Sequence, residues 1–133
     1  MWMKNAALLT GPFDWDPSLL PLAEFEARLA AVRRVFAERG ATALLVHGHG
    51  FEHGALAYLT GFVPKLGPAF ALVPRDGPVR ILASGGPGMM SLAKLLTWVE
   101  DVRPLDNLRN ALGEWFGEII RDDRTVLGLW GGE

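Results

Sequence analysis

The feature that most constrains this fold is a one-faced helix that runs almost directly into a two-sided strand. Leu22, Phe25, Leu29, Val32 and Val35/Phe36 recur at the spacing that lines a single helical face. Pro21 suits a first helical position, Glu24 and Glu26 come early, and Arg33, Arg34 and Arg39 come late, as the helix dipole favours. Gly40 supplies a stop, so the spacing predicts a helix over 21–39. Ala43–Val46 then gives a short unbroken apolar run, the pattern of a strand covered on both faces. A strand covered on both sides requires helices above and below it, which points to a layered α/β fold.

The remaining pattern fills in the layers. Gly54–Leu59 reads as a short helix closed by Thr60-Gly61. Phe70–Val73 and Val79–Leu82 flank Pro74-Arg75-Asp76-Gly77-Pro78, and Asp-Gly between two β-rich runs predicts a hairpin. Residues 84–88 read as a loop, 89–96 as a helix, Trp98–Val102 as a strand and Leu105–Ile120 as an amphipathic helix. Asp122-Asp123-Arg124 predicts a turn before a last strand, Thr125–Trp130. The order α–β–α–β–β–α–β–α–β is a mixed α/β sandwich around one sheet. Residues 1–20 follow neither period; with Trp2, Phe13 and Trp15 they read as an extended arm that packs on this domain or a neighbour.

Composition excludes several functions. A chain of 133 residues is one domain's worth. Its net charge of −2 and scattered basic residues leave no electrostatic footprint for nucleic acid. The absence of cysteine removes disulfides, thiolate nucleophiles and cysteine zinc sites. No apolar stretch approaches the roughly 20 residues of a membrane helix, and the N-terminus lacks a signal-peptide core. A soluble, cytoplasmic domain is expected.

All three histidines, His47, His49 and His53, fall within LLVHGHGFEHGALAYLTGF, with Glu52 beside them. In an extended segment His47 and His49 share a face, and imidazole with carboxylate suits Zn²⁺. Gly48, Gly50 and Gly54 interleave them, so ordering a metal site costs chain entropy. A solvated or locally hydrogen-bonded loop is the simpler reading. The same glycines give G-x-G-x-x-x-G, one residue longer than a dinucleotide fingerprint, and the downstream Asp76 falls in a hairpin turn. Ser91-Leu92-Ala93-Lys94 matches S-x-x-K without its companion motifs, which reads as surface helix. Gly85-Gly86-Pro87-Gly88 could cradle an anion, but Pro87 removes a donor and a tight loop fits better.

Taken together, FEARLAAVRRVFAERGATALLV, ALAYLTGF and AFALVPRDGPVRIL resemble, in order and spacing, the N-terminal domain of the creatinase/prolidase/Xaa-Pro aminopeptidase family. The similarity covers 21–133, and Tyr58-Leu59-Thr60-Gly61-Phe62 is its most specific piece. The resemblance implies a ribonuclease-H-like α/β domain without nuclease activity. It implies a non-catalytic role in oligomerisation, as a homodimer, and in substrate access. The family's two divalent metal ions belong to a second, catalytic domain that would follow the TVLGLWGGE strand, so no metal or other cofactor is expected in this chain. That domain is the expected partner, and no catalytic residue carries over. Val63-Pro64-Lys65-Leu66 matches the loop that walls a neighbouring active site, so Lys65, with His47, His49 and His53, is the expected substrate-access set. The longer HGHGFEH turn departs from the family pattern. The alternative is a free-standing domain that binds a metal or small ligand through His47, His49, Glu52 and His53.

Overall fold

The expected first helix forms because its apolar stripe finds a sheet to lie on. In the computed structural model, which describes residues 15–119 and 126–131, α1 spans Leu22–Arg39 and buries Phe25, Leu29 and Phe36. Pro21 is the residue before the helix rather than its first turn, with an extended backbone at ψ 152°. Among the described residues the other elements are β1 (Ala43–Gly48), α2 (Gly54–Thr60), β2 (Ala69–Pro74), β3 (Arg80–Ala83), α3 (Pro87–Leu96), β4 (Asp101–Pro104), α4 (Leu108–Ile119) and β5 (Leu127–Trp130).

These strands make one mixed sheet in the order β4-β3-β2-β1-β5. The three central strands run antiparallel, and each outer strand lies parallel to its neighbour. Alternation along each strand divides the core in two. Leu44 and Val46, Ala69, Ala71 and Val73, and Ile81 and Ala83 face α1, α2 and α3. Ala43 and Leu45, Leu72 and Leu82 face α4, whose Trp115 is the largest fully buried side chain. The domain is therefore the three-layer α/β fold that the sequence pattern requires.

Two boundaries move by three residues from expectation. Trp98 and Val99 precede the strand: the Trp98 indole donates to the Leu59 carbonyl at 3.0 Å, and the Thr97 hydroxyl accepts from the Val99 amide at 3.2 Å. A side-chain hydrogen bond to the last turn of α2 and a local one within 97–99 outweigh the β propensity of those residues. The last helix starts at Leu108 because the Leu105 amide still bonds to Ala83 and the Asn107 side chain accepts the Asn110 amide at 3.1 Å, an N-terminal cap. Residues 1–14 of the arm and the expected turn at 122–124 lie outside the described residues. Trp15, the first described residue, is tied down: its amide bonds to Leu95 and its ring meets Phe25 edge-on at 6.4 Å.

One ionic cluster crosses the layers. Arg80, only 7 % exposed, donates to Asp101 at 2.7 Å and to Glu118 of α4 at 2.8 Å, while Arg103 donates to the other Asp101 oxygen at 2.8 Å. Burial alone would push Asp101 up, but the hydrogen bonds from Arg103 and Arg80 and their positive charge outweigh it and hold the carboxyl below the usual range. Burial likewise works against the Arg80 cation, and its two carboxylate partners more than restore it.

Candidate functional site

The sheet register collects the sequence-predicted residues at one end. Gly48 of β1 lies opposite Ala69 of β2, Ala69 opposite Ala83 of β3, and Val46 beside Trp130 of β5. Hence the segment 47–53, the loop 63–68, Ser84 and Gly131 all emerge on the same side. That is the carboxyl end of the parallel β1–β5 pair, where α/β sheets place their binding loops.

His47 is a strand residue, not a loop residue, since β1 continues to Gly48. It sits across from Phe70, and the two rings meet at a 40° tilt with 5.0 Å between centroids. His47 Nδ1 is 3.0 Å from the Gly131 carbonyl oxygen. A carbonyl only accepts, so Nδ1 carries the proton of a neutral ring and Nε2 keeps its lone pair.

His49 opens a tight turn closed by reciprocal backbone bonds, His49 amide to Glu52 carbonyl at 2.9 Å and Glu52 amide to His49 carbonyl at 3.1 Å. Its ring lies 5.8 Å from that of His47, since the chain is still extended where it leaves β1. His49 Nδ1 accepts the Phe51 amide at 3.3 Å, which puts the proton of the neutral ring on Nε2, 3.7 Å from Glu52. His53 stands apart: it is the residue before α2, and its Nδ1 is buried with no hydrogen-bond partner.

The structure thus brings the candidates together in pairs, His47 with His49 and His49 with Glu52. Among the described residues no three His, Asp or Glu side chains converge to hold a metal ion.

Lys65 is exposed on the loop that follows α2, and Pro64 of that loop is buried. A methyl group on Gly50 would lie 3.7 Å from the Pro64 carbonyl, so the histidine turn and the Lys65 loop are neighbours. The Ser84 hydroxyl donates to the Pro68 carbonyl at 2.6 Å and fixes the far end of the Lys65 loop. Elsewhere, Ser91 bonds back to Pro87 on an exposed face of α3, in keeping with a surface reading of the S-x-x-K match. Asp76 sits in the exposed β2–β3 turn, away from a ribose-binding position.

Three residues at this site carried no chemical motif. Phe51, 96 % exposed, forms the tip of the histidine turn, and a large apolar residue in a tight polar turn is the signal that could have marked it. Phe70 supports His47, and its place in an alternating strand was legible. Gly131 was not, because its role depends on a strand 84 positions away in sequence.

No family model matches the chain, and no curated protein matches it. Six solved chains do match. One is the crystal structure of an Xaa-Pro aminopeptidase from Streptococcus pyogenes, 25% identical, superposing with a TM-score of 0.61 over 80% of this chain and 74% of that one. Another is the creatinase/prolidase-like N-terminal domain of a candidate metallopeptidase from Corynebacterium diphtheriae. It is 20% identical over 81% of this chain and 95% of that one, at a TM-score of 0.44, a superposition too loose to bear weight. The sequence resemblance drawn from YLTGF and its neighbouring segments is therefore met by a structural likeness to an Xaa-Pro aminopeptidase chain.

Proposed function

We propose that this chain is the non-catalytic N-terminal domain of a creatinase/prolidase-like metallohydrolase of the Xaa-Pro peptidase type. In that role it contributes to oligomerisation and to substrate access at a partner catalytic domain that carries two divalent metal ions. The observation that carries the reading is the likeness to the Streptococcus pyogenes Xaa-Pro aminopeptidase chain, at 25% identity and over most of both chains.

The loop end of the sheet supports the access role. The histidine turn, closed by two backbone bonds, and the Lys65 loop, held at its far end by the Ser84 hydroxyl, lie side by side, so they can present His47, His49, Phe51 and Lys65 to a neighbouring cleft at a small ordering cost. The chain's own contribution is to hold and orient polar groups and to exclude water at an entrance. The metal-dependent chemistry belongs to the catalytic domain.

The natural reading frame tests this. A continuation that encodes two Asp, one His and two Glu as metal ligands supports the proposal, and one without them sinks it. The access role has its own test in the parent enzyme: replacing His47, His49 and His53 together by Ala should raise KM for Xaa-Pro peptides. Unchanged kcat and KM would refute it.

A further inference from the structure

At the end of the sheet away from the histidines, α1 faces the β2–β3 turn. β2 passes from Ala69, beside Gly48, to Pro74, beside Ala43, and the turn follows. Between helix and turn lies an open cleft of about 700 Å³, a size that takes a small ligand. Glu26, Ala30 and Arg33 supply its helical wall, Leu29 and Trp98 its apolar side, and Arg75 its turn side. The Trp98 ring is fixed there: its indole donates to the Leu59 carbonyl at 3.0 Å, and its centroid lies 5.9 Å from that of Phe25.

The two ends of the cleft carry opposite charge. Arg33 reaches the turn and donates through Nε to the Pro74 carbonyl at 3.2 Å and through Nη2 to the Gly77 carbonyl. Both acceptors are neutral, and Arg33 belongs to no ion pair among the described residues. Burial disfavours its cation more than the nearby Asp76 carboxylate restores it. Asp76 lies 3.4 Å from Arg75 Nε, so two arginines face one carboxylate and this end keeps a positive charge in excess. At the other end Glu26 likewise has no ion-pair partner among the described residues. Glu26 and Arg33 are two helical turns apart, which holds them on one face of α1 about 10 Å from each other. Ala30 stands between them, and its small side chain leaves the space open.

We propose that this cleft binds a short peptide with free termini, about three residues long, its ammonium at Glu26 and its carboxylate at Arg33 and Arg75. Three extended residues span about 10 Å, the separation of the charges, whereas one amino acid covers about a third of it. The middle side chain then lies against Leu29 and the Trp98 ring, which favours an apolar residue there. A carboxylate gives Arg33 the anion it lacks, in the planar geometry that a guanidinium matches. A simple anion would leave Glu26 unpaired, and a simple cation would meet the arginines. A ligand charged at both ends is matched throughout. The site lies at the opposite end of the sheet from the proposed entrance and goes beyond that role.

Heteronuclear NMR of the 133-residue chain tests the proposal, with the Trp98 indole and Arg33 side-chain signals followed during titration. The probes are the peptide Ala-Leu-Ala, its N-acetyl form, its C-terminal amide, the doubly capped form and free leucine. Ala-Leu-Ala is expected to shift both signals saturably with a millimolar Kd. Each cap should weaken binding several-fold, and leucine should bind more weakly than the free peptide. Glu26 and Arg75 are exposed, so Glu26→Gln and Arg75→Glu should keep the native circular dichroism. Glu26→Gln should bind the free and N-acetyl peptides alike, and Arg75→Glu should no longer prefer the carboxylate to the amide. The absence of a saturable shift up to tens of millimolar overturns the proposal. So does a doubly capped peptide that binds as tightly as the free one, or either variant that keeps the wild-type preference. Shifts confined to the histidine turn would place the peptide elsewhere and overturn it too.

Discussion

The His47 ring on β1 donates through Nδ1 to the carbonyl of Gly131, the residue just after β5, at 3.0 Å. The two backbones are equally close: a Cβ built on Gly131 would lie 2.4 Å from the His47 carbonyl oxygen, and Gly131 has φ +84°. An L side chain is strained there even in open space, by about 1–2 kcal/mol, and here it also collides with backbone. Gly131→Ala is expected to destabilise the domain by at least about 1 kcal/mol. It should also release His47 from a single tautomer. Denaturant unfolding and the ring ¹⁵N shifts of His47 check the two effects separately.

Arg80 holds β3, β4 and α4 together from a nearly buried position. Removing it leaves Asp101 partly buried with only Arg103 beside it, and Glu118 without its partner. Arg80→Ala should cost about 3 kcal/mol, the low end for breaking one member of a buried ion pair, because Glu118 is half exposed. Arg103→Ala, at an exposed position, should cost below about 1 kcal/mol. Urea midpoints for both variants give the comparison; equal losses would count against the assigned hierarchy.

The same cluster sets a direction for acid stability. The folded-state pKa of Asp101 lies below its unfolded value, so the native state binds the proton more weakly than the unfolded chain does. That stabilisation is fully present above the ordinary carboxylate pKa of about 4 and is lost as pH falls through the lower folded value. Melting temperature should therefore drop on acidification below about pH 4, and Asp101→Asn should flatten that slope while lowering stability at neutral pH.

Most of the fold was legible because its signals are local. Phe25, Leu29 and Phe36 have helical spacing whatever surrounds them, and Asp76-Gly77 marks a hairpin within a few residues. The boundaries that moved did so through contacts between distant segments: Trp98 bonds to Leu59, and Leu105 stays with Ala83. The site divides in the same way. The shared face of His47 and His49 follows from alternation, but the bond from His47 to Gly131 arises only when β5 is laid beside β1.

Thr60 shows why YLTGF has the residues it has. Its side chain is buried, donates to the Leu56 carbonyl at 2.7 Å and accepts the Phe62 amide at 3.1 Å, while its own carbonyl accepts from the Thr97 hydroxyl. Gly61 then turns the chain at φ +73°, with its α-carbon face against the Phe25 ring. Thr60→Val keeps the shape but strands the buried Phe62 amide, at a cost of about 1–3 kcal/mol. Thr60→Ser keeps the hydroxyl and should retain most of the stability. Thermal melts of the pair distinguish a polar role from simple packing.

Phe51 is the opposite case, a large apolar residue that the domain barely buries. At 96 % exposure it buries almost nothing here, yet the turn that carries it is closed by two backbone bonds between His49 and Glu52. An apolar side chain on a braced tip costs little entropy to place against a partner surface. Phe51→Ala should leave the melting temperature of the isolated domain within about 0.5 kcal/mol of stability of the wild type. The proposed access role adds a second expectation: in a full-length Xaa-Pro peptidase carrying this domain, the same change should raise KM by several-fold at unchanged fold. Wild-type KM in that variant would remove Phe51 from the entrance, and a marked loss of stability in the isolated domain would show instead that its ring packs within the fold.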